Sequence, residues 1–95
     1  MTKKIYREYY DNGKKRLEAT YKDSKQDGLT TFWYENGKKN FEGKFKDGKY
    51  EGLNTAWHEN GQKNEEATYK EGKCGPVTLW LENGLMIMKD GKIEW

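Results

Sequence analysis

Asn-Gly recurs along this chain at a fixed interval: Asn12-Gly13, Asn36-Gly37, Asn60-Gly61 and Asn83-Gly84, with glycine steps of 24, 24 and 23. Self-similarity at such a period marks a stacked-repeat architecture and constrains the fold more than composition does. A second glycine series, Gly28, Gly52 and Gly75, steps by 24 and 23. Aromatics keep the same beat, with Tyr9, Trp33, Trp57 and Trp80 in one column and Tyr21, Phe45 and Tyr69 in another. The third unit loses one residue in its Gly72-Lys73-Cys74-Gly75 turn. The last is shorter again, since Gly84 to Gly91 is 7 residues where Gly61 to Gly72 is 11. A shortened terminal unit suits a capped array. The intervals divide one domain, residues 1–95, into units at about 5–27, 28–51, 52–74 and 75–95.

Each unit reads as two strands and two turns. In the second unit the strand Leu29-Thr30-Thr31-Phe32-Trp33-Tyr34 leads into the turn Glu35-Asn36-Gly37-Lys38. The strand Lys39-Asn40-Phe41-Glu42-Gly43-Lys44-Phe45-Lys46 and the return turn Asp47-Gly48 complete it. Asn-Gly between β-formers is a strong hairpin signal, because both residues tolerate the positive φ of a two-residue type I′ turn. Glu71-Gly72 and Asp90-Gly91 mark further return turns. A breaker every 8 to 12 residues disfavours helix. The expected fold is all-β: an elongated, twisted, mostly single-layer antiparallel meander of about eight or nine short strands. At roughly 4.8 Å per strand, each unit advances the sheet by roughly 10 Å.

Register decides which side chains share a face. A type I′ turn at Asn36-Gly37 pairs Tyr34 with Lys39 and Phe32 with Phe41, a direct aromatic cross-strand pair. A three-residue loop with a glycine bulge would instead set Trp33 opposite Phe41. The first register places Thr30, Phe32, Tyr34, Phe41, Gly43 and Phe45 on one face. Leu29, Thr31 and Trp33 then share the other with Asn40, Glu42 and Lys44. Ala19, Gly43 and Ala67 occupy one column, leaving room for a neighbouring ring. Each face is then part aromatic and part charged, so no second layer is demanded.

Composition agrees with a thin sheet. Leu, Ile, Val and Phe number 13 of 95 residues and mean hydropathy is −1.31, too little for a deep aliphatic core or a membrane span. Disorder is opposed by a net charge of only +2 and an aromatic content of 15%. The 18 basic and 16 acidic residues nearly cancel, so no polycationic tail and no steering field toward an anionic partner are expected. No nucleic-acid partner is expected either. A catalytic pocket needs walls that exclude water, so the chain reads as no enzyme, with no catalytic residue and no cofactor. Cys74 and His58, each the single residue of its type, cannot build a zinc site within the chain. The lone cysteine and the absence of an apolar run in Met1-Thr2-Lys3-Lys4-Ile5-Tyr6-Arg7 predict a cytoplasmic location. A chain whose export signal had been removed would read the same.

The units resemble the bacterial variant of the MORN repeat. The pattern runs from Gly28 through Trp33-Tyr34-Glu35-Asn36-Gly37 to Phe45-Lys46-Asp47-Gly48. It runs again from Gly52 through Trp57-His58-Glu59-Asn60-Gly61 to Tyr69-Lys70-Glu71-Gly72. Tyr9-Tyr10-Asp11-Asn12-Gly13 and Trp80-Leu81-Glu82-Asn83-Gly84 open partial copies. The departures are Ser24 in place of a turn glycine, Pro76 at a strand start and the short last unit. The resemblance implies a non-enzymatic repeat protein. Similar proteins are often labelled antitoxin components of toxin–antitoxin pairs, which implies a protein partner such as a co-encoded toxin. It also implies an alternative, a structural or surface-associated scaffold that self-associates or binds phospholipid headgroups. No polybasic cluster supports the headgroup reading.

The candidate partner-binding residues are Tyr9, Trp33, Trp57 and Trp80, an aromatic ladder with one rung per unit, together with Phe32 and Tyr34. Trp and Tyr anchor protein interfaces, and a single layer leaves such rings exposed. The edge strands, near residues 4–10 and 92–95, offer a second route to self-association by strand addition. His58 stands where other units have Tyr10, Tyr34 and Leu81 and reads as a surface substitute for a packing residue.

Overall fold

The computed structural model describes residues 3–89 together with 92 and 93. No helix occurs among them. The strands are β1 (Lys3–Tyr9), β2 (Lys15–Lys22), β3 (Lys25–Trp33), β4 (Lys39–Lys46) and β5 (Lys49–Tyr50). They continue with β6 (Gly52–Trp57), β7 (Lys63–Lys70), β8 (Lys73–Trp80), β9 (Met86–Lys89) and β10 (Lys92–Ile93). They form one antiparallel meander in the order β1-β2-β3-β4-β6-β7-β8-β9-β10, with β5 paired to β4. The extents are 47 × 36 × 10 Å, the thickness of a single sheet with its side chains. The all-β single-layer ribbon is therefore as expected. The return turn Asp90-Gly91 and the end of the last edge strand, residues 94 and 95, lie outside the described residues.

The two kinds of turn differ from the expected assignment. At each Asn-Gly site the loop has three residues. The Tyr34 N–H donates to the Lys38 carbonyl (2.8 Å) and the Gly37 N–H to the Tyr34 carbonyl (2.9 Å). The same pair of bonds recurs at Tyr10 and Gly13, His58 and Gly61, and Leu81 and Gly84. The glycine alone has positive φ (+90° at Gly37), while Asn36 uses its side chain to accept the Lys38 N–H at 2.9 Å. This is a type I turn closed by a glycine bulge. The asparagine serves as an Asx acceptor and not as a second positive-φ residue. The two-residue turns with both φ positive are the return turns instead, at Asp23-Ser24 (51° and 68°), Asp47-Gly48 (50° and 83°) and Glu71-Gly72 (51° and 80°).

A three-residue loop alone would slip the register by one, yet Phe32 does pair with Phe41. A second bulge restores it. Trp33 pairs with Lys39, so Asn40 is the extra residue and the expected Tyr34–Lys39 pair does not form. Arg16, Asn64 and Ile87 are skipped in the same way opposite Tyr9, Trp57 and Trp80. The slip of one residue that would turn every side chain to the wrong face is thereby cancelled once per hairpin.

Those registers leave both faces part aromatic and part charged, as expected, but unequally: among the paired residues of the Phe32 face, charge is confined to Lys4 and Glu8 in β1, opposite Tyr21 and Leu17, and to Glu65 in β7. Across one face run Leu17, Phe32, Phe41, Ala56, Glu65 and Leu79, each paired to the next. Beside them lie the pairs Ala19–Thr30, Thr30–Gly43, Asn54–Ala67 and Ala67–Val77. Glu65 is the one charge in these rows. Phe32, Phe41, Tyr50 and Tyr69 form a chain of rings at centroid spacings of 6.3, 6.3 and 4.9 Å, with Phe45 4.5 Å from Tyr50. Lysine, glutamate and tryptophan occupy the opposite face.

Nothing larger than alanine is buried among the apolar side chains described: Ala19 and Ala67 are buried, with Thr30, Thr31, Asn54 and Thr55. The column of small residues leaves room for rings as expected. A Cβ on Gly43 would lie 2.9 Å from the Phe41 ring and 2.7 Å from the Asn54 side-chain oxygen. That oxygen accepts the Lys44 N–H at 3.3 Å, in a stretch where β4 and β6 are no longer in ladder register.

Ser24 holds φ +68° where the equivalent residues are Gly48 and Gly72. A left-handed conformation costs a non-glycine residue about 1–2 kcal/mol. Ser24→Gly is expected to raise unfolding free energy by about 1 kcal/mol in urea denaturation.

Candidate functional site

Stacking the hairpins brings equivalent turns side by side, and side chains at the two ribbon edges bind each turn to the next. On the Asn-Gly edge, the Tyr10 hydroxyl donates to the Trp33 carbonyl (2.5 Å) and the Tyr34 hydroxyl to the Trp57 carbonyl (2.6 Å). His58 Nε2 meets the Trp80 carbonyl at 2.9 Å. A carbonyl only accepts, so this nitrogen carries the proton. His58 thus replaces tyrosine in a structural bond. Asn12, Asn36 and Asn60 donate their amide N–H to the carbonyls of Glu35, Glu59 and Glu82 at 3.1, 3.1 and 2.7 Å. Each asparagine therefore closes its own loop through oxygen and ties the next loop through nitrogen.

The return-turn edge has its own ties. The Gly48 N–H donates to the Gln26 carbonyl (2.8 Å) and the Gly72 N–H to the Tyr50 carbonyl (3.2 Å). Asp27 accepts the Asp47 N–H (3.4 Å) and Glu51 the Glu71 N–H (3.1 Å). This edge also carries a concavity of about 930 Å³ lined by lysines and carboxylates.

The tryptophans of the ladder are half-buried under lysines. The ammonium groups of Lys15, Lys39 and Lys63 lie 5.5, 5.8 and 5.7 Å from the ring centroids of Trp33, Trp57 and Trp80. The same ammonium groups pair with Glu18, Glu42 and Glu66 at 3.0, 2.9 and 2.8 Å. Glu42 also accepts the Thr31 hydroxyl at 3.0 Å. Cation–π contacts of this kind contribute about 0.5–1 kcal/mol where exposed. Glu18 additionally takes the Arg7 Nε–H at 2.6 Å. Hydrogen bonds from Arg7 and Lys15 hold its carboxyl below the usual range. Glu8, bonded by the Tyr6 hydroxyl and by Arg16, is lowered likewise. Burial, then the carboxylates of Glu59 and Glu82, raise the Tyr34 hydroxyl above its ordinary value.

The six candidate binding residues therefore do not form one surface. Tyr9, Trp33, Trp57 and Trp80 lie on the charged face, Tyr9 exposed and the indoles half-covered. Phe32 lies on the uncharged face, and Tyr34 is spent on the neighbouring turn. The rings that share the uncharged face with Phe32 are Phe41, Phe45, Tyr50 and Tyr69. Sequence reasoning placed Phe41 and Phe45 on that face but passed over them as anchors. The signal was the uncharged residue that shares their face two places along, Gly43, with the charges Glu42 and Lys44 alternating to the other face. Among the described residues, no group of three or more His, Cys, Asp or Glu side chains is placed to hold a metal ion.

A period of 24, a Tyr-Glu-Asn-Gly loop whose tyrosine and asparagine reach the next unit, and a two-residue return turn define the repeat. The model of the MORN repeat variant matches residues 4–23, 26–47 and 50–71. The chain belongs to the MORN repeat variant family. MORN repeats are non-catalytic modules that serve in protein or membrane-lipid binding. No curated protein and no solved structure matches the chain at a significant level.

Two outcomes follow. Tyr34→Phe keeps the ring and removes one inter-repeat bond, so it should cost about 1 kcal/mol by chemical denaturation, while His58→Tyr should be neutral or stabilising. Because the Glu8 and Glu18 pKa values are lower folded than unfolded, their contribution is full above the ordinary carboxyl range. It should be lost as pH falls through the depressed values. Melting temperature followed from pH 7 downward checks this. Glu18→Gln should flatten the acid limb.

Proposed function

We propose that this MORN array is a non-enzymatic binding module that docks a protein partner on its uncharged face, as an antitoxin-type neutraliser of a co-encoded toxin. The observation that carries the reading is the segregation of charge. From β2 to β8 the paired row through Phe32 and Phe41 contains one ionisable side chain, Glu65. A surface of this kind favours a partner with an uncharged, aromatic or aliphatic surface of its own, since burying a partner's charge against it would leave that charge unpaired. The ribbon outline of 47 × 36 Å exceeds the roughly 800 Å² per partner that a stable interface needs. The rings are already held by their neighbours, so little side-chain freedom is lost on docking. Phe32 is the most accessible anchor, at 39% exposure. The Trp ladder contributes through the rigidity of the sheet beneath.

Co-expression with the product of the neighbouring gene, followed by co-purification and growth rescue, tests the reading. Phe32→Asp should weaken the complex at least about tenfold with circular dichroism unchanged. Trp57→Phe, on the other face, should leave the complex intact. Absence of a complex with a toxic neighbour would sink the antitoxin role. A dimer in light scattering that Phe32→Asp dissociates would make a second copy the partner.

A further inference from the structure

The return-turn edge breaks a rule of sheet stability at every described hairpin. Lys3 stands opposite Lys22, Lys22 opposite Lys25, Lys46 opposite Lys49 and Lys70 opposite Lys73. Like charges directly across a strand pair are destabilising. The fold does not require them, because turn geometry at these positions depends on the two residues between each pair. Among the described residues, one ion pair relieves this row, Lys3 with Asp27 at 3.7 Å. At the Asn-Gly edge, by contrast, Lys15, Lys39 and Lys63 each have a glutamate. A local conflict repeated unit after unit, in a chain that gives Lys15, Lys39 and Lys63 each a glutamate, is the pattern of a site kept for a ligand.

We infer that this edge is a second binding site, separate from the uncharged face, for an acidic segment of a polypeptide. The concavity there measures about 930 Å³ and is lined by seven lysines and four carboxylates, a net of three positive charges. Two of the carboxylates, Asp27 and Glu51, are turned to backbone amides of the next return turn. Adjacent lysines on neighbouring strands are roughly 5 Å apart at the backbone, and their long stems let the ammonium groups follow an irregular chain of carboxylates. A net of three suits a segment with scattered acids better than a polymer bearing a charge on every unit. Apolar side chains adjoin the lysines. Leu29 pairs with Lys44, which lines the concavity, and Leu29 and Leu53 are each 54% exposed on that same face. A polypeptide can present carboxylates and aliphatic groups side by side along one chain, whereas polyphosphate presents charge alone and a lipid surface sets its acyl chains beneath the headgroups.

The test uses the whole chain and fluorescein-labelled deca-glutamate, with a second peptide in which every third glutamate is leucine. Anisotropy should show binding that weakens as salt rises, with the leucine-bearing peptide favoured by about fivefold. Leu29→Ser with Leu53→Ser should erase that preference. Lys25→Glu, Lys49→Glu and Lys73→Glu together turn repulsive pairs into attractive ones. The triple variant should melt about 5 °C higher and lose peptide affinity at least about tenfold. A lower melting temperature would refute the conflict on which the site rests. Unchanged peptide binding in that variant would refute the site itself. Tighter binding of inorganic polyphosphate, or of phosphatidylcholine vesicles containing phosphatidylserine, would overturn the polypeptide assignment.

Discussion

A sheet one layer thick has no interior, so each hairpin depends on the two turns by which it is tied to its neighbour. The buried apolar side chains described here are two alanines. A lone two-stranded hairpin is marginal in water at best. The ladder bonds of the strands are supplemented at both edges by side-chain bonds spanning 20 to 23 residues, from Tyr10, Asn12, Tyr34, Asn36, Asp27 and Glu51. These bonds fix the lateral position of one turn against the next, which strand pairing alone would leave free to slip. Stability then becomes a sum over nearest neighbours, as in other solenoid-like arrays.

The 24-residue period follows from the turn chemistry. A glycine-bulge loop at one edge and a type I′ turn at the other are compatible with a face-preserving register only if a further bulge is inserted. Arg16, Asn40 and Asn64 supply it. The bulge also sets Lys15, Lys39 and Lys63 on the face of Glu18, Glu42 and Glu66, three residues further on, and over the next indole. One inserted residue therefore keeps the aromatic face aromatic and builds the lysine roof of the tryptophans on the other side. A bulge that does both is a part of the repeat and not a defect in it.

The repeat, the strand order and the Phe32–Phe41 pair were legible in the sequence because all three depend on spacing and alternation. The turn types were not. Asn-Gly favours a type I′ turn in an isolated hairpin, but here each asparagine oxygen accepts the N–H two residues on, at Asn83 in the last unit as in the others, and that bond goes with the Asx geometry. The binding residues were partly legible. Trp33, Trp57 and Trp80 stand out as rare, periodic residues, yet their exposure depends on lysines placed by a bulge that spacing does not reveal. Tyr34 reads as a surface ring until the Trp57 carbonyl is seen beside its hydroxyl. The lysine row was visible as Lys22/Lys25, Lys46/Lys49 and Lys70/Lys73. Counting charge over the whole chain hid it, because the glutamates that pair with lysines, Glu18, Glu42 and Glu66, lie at the other edge.

What varies between units follows from what each junction must carry. The position of Tyr10 and Tyr34 becomes His58 and then Leu81, so the hydroxyl donor is kept as a ring N–H at the third junction and gives way to an apolar group beyond it. At the other edge, Gly75 follows Cys74 directly where Asp27 and Glu51 precede Gly28 and Gly52. The residue lost from the third unit is thus the acid that caps the following turn. The Asn-Gly edge, by contrast, keeps both ties at the third junction, His58 to Trp80 and Asn60 to Glu82. The array is therefore graded at its return-turn edge, where the Asp27 and Glu51 caps tie the first three units. These carry the aromatic chain from Phe32 to Tyr69 on one face and the lysine-lined concavity on the other, so both candidate surfaces sit where both edges of the ribbon are tied.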